Sequence, residues 1–243
     1  MIFQRAKNAR DRIIVALDVA DEAGLLALVR GLSGQVGLFK IGKELFTAMG
    51  PRAVELVHQG GGRVFLDLKY HDIPNTVGGA VRAAARLGVS MLTVHASGGL
   101  EMLKAAVGAS EESDNPPAIL AVTVLTSLTD GDLGMLGVAD PVPVQVERLA
   151  RLSVSAGVHG LVLSPQEVRG VRAAVGASPL IVTPGVRPVG TSMDDQARVA
   201  TPGQAVANGA DFLVIGRPIT RAADPREAVA KIVGQLTGGQ EEW

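Results

Sequence analysis

Val64-Phe65-Leu66-Asp67-Leu68-Lys69-Tyr70-His71-Asp72 is an apolar run that ends in acid, base, acid, and Ile73-Pro74-Asn75-Thr76 follows it. Charged side chains are rarely buried unless paired, so packing alone does not explain this ending. Read as a strand, the segment points Asp67 and Lys69 to one face, roughly 6.6 Å apart along the chain. Asp72 falls just past the strand, where Pro74 helps to stop it. The reading predicts a lysine ammonium held among carboxylates at the rim of a hydrophobic core.

The same layout recurs to either side. Apolar, β-rich runs are expected at 12–18, 36–41, 64–69, 90–95, 118–123, 160–164, 180–183 and 211–215, the fifth running on through Leu125-Thr126-Ser127. Helical patterns alternate with them at 21–31, 44–58, 75–87, on to 109 after the fourth strand, and at 143–155, 165–175 and 225–236, with one further turn at 205–210. Asp21 is placed to cap the first helix. The strands are nearly continuous apolar runs, as parallel strands covered on both faces should be. Eight such units predict an α/β fold, a (β/α)8 TIM barrel formed by residues 1–243 as a single domain. A doubly wound open sheet is the structural rival. No stretch reads as an interdomain linker.

Composition narrows the class. The chain has 243 residues, 47% hydrophobic and 19% charged, as expected of a soluble globular protein. A net charge of −1 offers no basic field for nucleic acid, and 3% aromatic residues give little for base stacking. The absence of cysteine excludes disulfides, thiolate metal sites and a cysteine nucleophile, and suits a reducing cytoplasm. Residues 1–12 are polar and basic, unlike a secretory signal, and no apolar run is long enough to cross a bilayer.

Polar residues gather near the C-terminal ends of the expected strands: Asp18, Lys40, Asp67 with Lys69, His95, Thr126, Ser164, Pro184-Gly185 and Gly216-Arg217. In a parallel barrel those ends share one face, where active sites lie. Phe212-Leu213-Val214-Ile215-Gly216-Arg217 reads as a strand followed by a phosphate site. Gly216 lets backbone N–H groups approach a ligand, and Arg217 can take phosphate oxygens bidentately. The loop at 185–201, with Arg187, Gln196 and Arg198, is long enough to act as a lid over that phosphate.

Asp67-Leu68-Lys69-Tyr70-His71-Asp72-Ile73-Pro74-Asn75-Thr76 resembles the signature of the orotidine 5′-phosphate decarboxylase family. Further matching blocks follow in order: Ala16-Leu17-Asp18, Phe39-Lys40-Ile41-Gly42, Thr93-Val94-His95-Ala96, Leu125-Thr126-Ser127, Thr183-Pro184-Gly185-Val186-Arg187-Pro188, Gln196 and Ile215-Gly216-Arg217. The resemblance implies removal of CO2 from C6 of orotidine 5′-monophosphate to give UMP in de novo pyrimidine biosynthesis, with no cofactor and no metal. It implies Lys69 as the ammonium that stabilises the developing carbanion and protonates C6, with Asp67 beside the departing carboxylate, and Lys40 and Asp72 completing an alternating row of charges. By the same resemblance Asp18, Lys40, Asp72 and Thr76 hold the ribose hydroxyls and Thr126 contacts the pyrimidine. Gln196, Gly216 and Arg217 hold the phosphate, with Arg187 in the closing loop. It also implies a homodimer in which Asp72 and Thr76 reach the neighbouring subunit's site.

Each residue has a plainer reading. Asp67, Lys69 and Asp72 could form a structural ion-pair network, Asp18 a cap or turn, and Lys40 a snorkelling surface lysine. His95 reads as a structural group orienting the barrel rim. Two rival functions stand beside the main one. A metal-dependent sugar-phosphate lyase on the same barrel would need carboxylates where this chain has Lys40, His95 and Thr126. A non-catalytic nucleotide binder would need neither Lys69 nor the two aspartates.

Overall fold

A computed structural model describes residues 5–19, 21–187 and 200–237. Eight strands close into a parallel barrel: β1 (Ile13–Ala16), β2 (Leu38–Gly42), β3 (Val64–Tyr70), β4 (Met91–His95), β5 (Ala118–Val122), β6 (Gly160–Val162), β7 (Leu180–Thr183) and β8 (Phe212–Ile215). Each pairs with the next in sequence, and β8 returns to β1 through Ile13↔Leu213, Ile14↔Val214 and Val15↔Ile215. The closed barrel answers the sequence expectation and removes the open-sheet rival.

The helices are α1 (Glu22–Leu32), α2 (Lys43–Met49), α3 (Arg52–Gln59), α4 (Pro74–Arg86), α5 (Leu100–Glu111), α6 (Asp130–Met135), α7 (Val142–Ser155), α8 (Val168–Val175), α9 (Pro202–Ala207), α10 (Arg217–Thr220) and α11 (Pro225–Leu236). Asp21 caps α1 as expected, accepting from the Gly24 N–H at 2.8 Å. The helix expected over 44–58 is instead two, because Gly50 takes φ +56 and Pro51 follows it, which ends α2 before α3 begins. The connection after β5 is not structureless. It holds α6, started by a capping box in which Thr129 and Asp132 satisfy each other's backbone N–H. The fifth strand stops at Val122, so Leu125 to Ser127 lie beyond it.

Strand alternation divides the core in two. Ile13, Val15, Phe39, Ile41, Val64, Leu66 and their counterparts face outward and pack under the helices. Ile14, Ala16, Leu38, Phe65, Met91, Leu120, Val122, Leu180, Val182, Phe212 and Val214 face inward and fill the barrel. Gly160 is needed in this inner layer, since a methyl there would come within 2.7 Å of a Leu120 methyl and 2.8 Å of the Leu180 carbonyl oxygen. In the first three strands the apolar filling ends at Ala16, Leu38 and Phe65. There the next inward positions carry Asp18, Lys40 and Asp67, so the pleat that builds the core also aims polar groups into the barrel mouth.

Candidate functional site

A cavity of about 280 Å³ opens at that mouth. Its polar wall is Asp18, Lys40, Asp67, Lys69, Thr126, Arg187 and Arg217, and backbone is exposed to it at Gly185 and Gly216. Its apolar floor and flank come from Phe65, Val122, Val124, Leu125, Val162 and Val214. The cavity thus joins an apolar floor to a wall carrying both signs of charge.

Asp67 is the centre of the charge cluster. Its Oδ1 accepts from Lys69 Nζ at 2.8 Å and from the Thr93 hydroxyl at 3.0 Å, while Oδ2 lies 3.5 Å from Lys40 Nζ. Burial pushes the carboxyl upward, but the charges of Lys40 and Lys69 and the hydrogen bonds from Lys69 and Thr93 outweigh it, holding Asp67 below the usual carboxylate value. One carboxylate therefore faces two ammonium groups, so the cluster is net cationic where it meets the cavity. An anionic ligand group, or a carbanion forming in the cavity, would meet a complementary field.

The backbone at Lys69 is unusual. Its φ is +55, the one positive value at a non-glycine among the described residues. Such a residue costs on the order of 1–2 kcal/mol and marks a place where the fold overrides local preference. The cause is a register shift: β3 and β4 pair at Leu66↔Leu92 and next at Tyr70↔Val94, so Asp67, Leu68 and Lys69 bulge opposite Thr93 alone. Simple alternation places Asp67 and Lys69 on one face; the structure reaches that result through the bulge.

Beyond the ends of β8 and β1, the Cα of Gly216 lies against Asp18. A methyl there would sit 3.2 Å from Asp18 Oδ2 and 3.4 Å from the Ala16 Cβ. Arg217 opens α10 directly after it.

Of the residues singled out in the sequence, Asp18, Lys40, Asp67, Lys69, Thr126, Arg187, Gly216 and Arg217 converge on this cavity. Asp72 and Thr76 do not line it. Both are exposed, and Asp72 Oδ1 accepts from the Ile73 N–H at 2.6 Å. Gln196 and Arg198, with most of the loop at 185–201, lie outside the described residues. His95 stays off the cavity wall, its ring 5.4 Å from that of His71. Burial, then the charges of His71, Lys43 and Lys69, push it down to about 4, so it is neutral near pH 7. Ser164 is buried and accepts from the Gln166 N–H, a local structural role.

Thr93 is the polar residue that sequence reasoning left without a role. Its signal was available: in Met91-Leu92-Thr93-Val94-His95 it takes the inward position level with Asp67, where an aliphatic residue would otherwise complete the barrel filling. Among the described residues no three side chains of His, Cys, Asp or Glu group as metal ligands, and no helix is long and apolar enough to cross a membrane.

Comparison with known proteins identifies the family of the chain. Residues 11–232 match the family model described as "Orotidine 5'-phosphate decarboxylase / HUMPS family". The chain is 54% identical over 234 residues to an orotidine 5′-phosphate decarboxylase of Pelobacter propionicus, covering 96% of this chain and 98% of that one. It is 52% identical over 235 residues to the same-named protein of Trichlorobacter lovleyi, with 96% and 98% covered. Among solved structures, that of orotidine 5′-phosphate decarboxylase from Lactobacillus acidophilus superposes with a TM-score of 0.82 at 38% identity, over 92% of this chain and 98% of that one.

Proposed function

The chain belongs to the orotidine 5′-phosphate decarboxylase / HUMPS family, and on that premise we propose that it is a carboxy-lyase that converts orotidine 5′-monophosphate to UMP and CO2 in pyrimidine biosynthesis. The observation that carries this reading is the Asp67 carboxylate set between the Lys40 and Lys69 ammonium groups at the wall of an open cavity. Binding a nucleotide requires no such cluster. Cleaving a bond to leave a carbanion does, because only a group placed at the reacting carbon favours the transition state over the bound substrate.

In the proposed reaction the C6–carboxylate bond breaks, its electron pair stays on C6, and CO2 departs. The Lys69 ammonium, held by Asp67, lies against C6, stabilises that pair and donates a proton to it. The resulting amine recovers a proton from water after product release. Lys40 and Asp18 hold ribose hydroxyls, and Thr126 orients the ring over the apolar floor. Gly216, Arg217, Arg187 and Gln196 take the phosphate, with the loop at 185–201 closing over it. Holding the remote phosphate lets binding energy drive closure and appear in the rate of the chemical step. Asp72 and Thr76 act in the site of a second copy of this chain, in a homodimer. Their exposure outside their own cavity, beside an Ile73 that is 66% exposed, supports that reading. The compartment we propose is the cytoplasm.

The reaction needs no metal or organic cofactor in this scheme, because the ammonium supplies both charge and proton. The test is loss of orotidine 5′-monophosphate absorbance in the presence of a strong chelator. Turnover at the same rate with and without chelator is the expected result. Absence of turnover contradicts the proposal, and turnover abolished by chelator contradicts it in favour of a metal-dependent lyase.

A further inference from the structure

We propose that Thr93 is a positioning residue that fixes both the backbone of Lys69 and the carboxylate of Asp67, and so determines where the Lys69 ammonium points. This rests on the reading of Lys69 and Asp67 as the reacting pair.

The bulge in β3 creates the need. Between the pairs Leu66↔Leu92 and Tyr70↔Val94, three residues of β3 face one residue of β4. Lys69 is not among the register pairs with β4, and it is held at φ +55. A buried backbone N–H needs a partner. The Thr93 hydroxyl supplies it, accepting from Lys69 N at 2.9 Å, and passes its own hydrogen to Asp67 Oδ1 at 3.0 Å. That oxygen also accepts from Lys69 Nζ at 2.8 Å. The four bonding atoms form a closed circuit in which Lys69 is tied at its backbone through Thr93 and at its ammonium through Asp67. Thr93 is wholly buried and does not line the cavity, so it acts on the reaction through Lys69 and Asp67 rather than on substrate. A hydroxyl both accepts and donates at one atom, which the circuit requires. The β-branch restricts χ1 and gives that hydroxyl a fixed direction.

Without this hydroxyl, the Lys69 N–H loses its acceptor, and the bulge alone is left to hold the left-handed backbone. Relaxing toward the extended region would swing Nζ off the line to the reacting carbon, and Asp67 would lose a donor that favours its charged form.

The test compares Thr93→Val, Thr93→Ala and Thr93→Ser with the unaltered chain, measuring orotidine 5′-monophosphate turnover, UMP affinity and amide exchange at Lys69. Val and Ala should lower kcat by about 10- to 100-fold, with KM and UMP affinity within about threefold, since a displacement on the order of 1 Å at a reacting group has that effect. Ser should recover most of the rate. In the Val and Ala variants the acid limb of the kcat profile should move to higher pH, and the Lys69 amide should exchange faster by about tenfold or more while Leu92 and Val94 amides are unchanged. Should Val fail to fold, the contrast of Ala with Ser carries the same information. A Val or Ala variant at unaltered kcat, a Ser variant as slow as Ala, or a loss confined to KM would overturn the inference while leaving the decarboxylase reading intact. An unaltered chain that does not turn over would overturn the decarboxylase reading and this inference with it.

Discussion

Two nearly buried aspartates sit at opposite ends of the barrel, and their surroundings differ in kind. At the N-terminal face, Asp211 Oδ2 accepts from Arg172 Nη2 at 2.8 Å and from the Ile181 N–H at 2.8 Å, and Oδ1 lies 3.4 Å from Arg5 Nη1. Arg172 completes its fork on the carbonyl oxygens of Pro179, Gly176 and Gly209. Every partner there is a rigid backbone group or a planar guanidinium, and the backbone around it is unstrained. At the C-terminal face, Asp67 is held by two ammonium groups on flexible stems, one of them on a residue with a left-handed backbone, and the whole group borders an open cavity. The first arrangement ties the segments leading into β7 and β8 to α8. The second holds charge ready for a ligand. Burial and pairing alone do not distinguish structure from function; what distinguishes them is whether the charged partners are used up by the protein.

Substitutions at the two ends should separate these roles. Asp67→Asn should reduce turnover by about 10²–10³-fold, the scale of losing a preorganised charged partner, while its melting temperature falls less than that of the Arg172 variant. Steady-state kinetics beside a thermal melt checks both halves, and an Asp67→Asn variant that unfolds but retains its specific rate would erase the contrast. Arg172→Ala should cost roughly 1.5–3 kcal/mol of stability, the scale of losing a hydrogen bond to a charged group while Arg5 still faces Asp211, seen in urea unfolding, with the kcat of the folded fraction unchanged. Gly216→Ala, which crowds Asp18 without removing any charge, should raise KM by about tenfold, or roughly 1.4 kcal/mol, with a smaller effect on kcat. An unchanged KM would place the ligand elsewhere in the cavity.

A further effect should be one of pH. His95 is held at about 4, below the ordinary imidazole value of 6.5. The unfolded chain therefore binds a proton more readily between those values, so the stability tied to neutral His95 is present above pH 6.5 and is lost as pH falls toward 4. Unfolding midpoints should decline over that window in the unaltered chain and decline less in His95→Gln. Parallel curves would show that His95 contributes nothing to it.

The sequence made the barrel legible because a parallel strand covered on both faces is a short, solid apolar run, and eight of them alternate with amphipathic segments. It also located the mouth, since Asp18, Lys40, Asp67 and Gly216 each interrupt or follow such a run. What it concealed depends on pairing between elements. The division of 44–58 into α2 and α3 turns on the backbone of Gly50. The short α6 lies in a stretch rich in glycine and aspartate, where propensity argues against a helix and a capping box overrides it. The bulge at Asp67–Lys69 is set by how β3 registers against β4, a relation no local period records, and the part taken by Thr93 follows only from that register. Asp72 and Thr76 show the same limit in another form. They were singled out with the cavity residues, and the structure leaves both exposed outside that cavity.

The central claim is that Lys69 is there for chemistry and not for binding, and Lys69→Ala tests it most directly. Turnover of orotidine 5′-monophosphate and affinity for UMP should be measured on the same preparation. The account predicts a loss of turnover of at least about 10³-fold, the combined scale of losing a positioned acid and its charge, with UMP bound nearly as well as by the unaltered chain. A variant that keeps most of its turnover, or that loses turnover only in proportion to its nucleotide affinity, would contradict it.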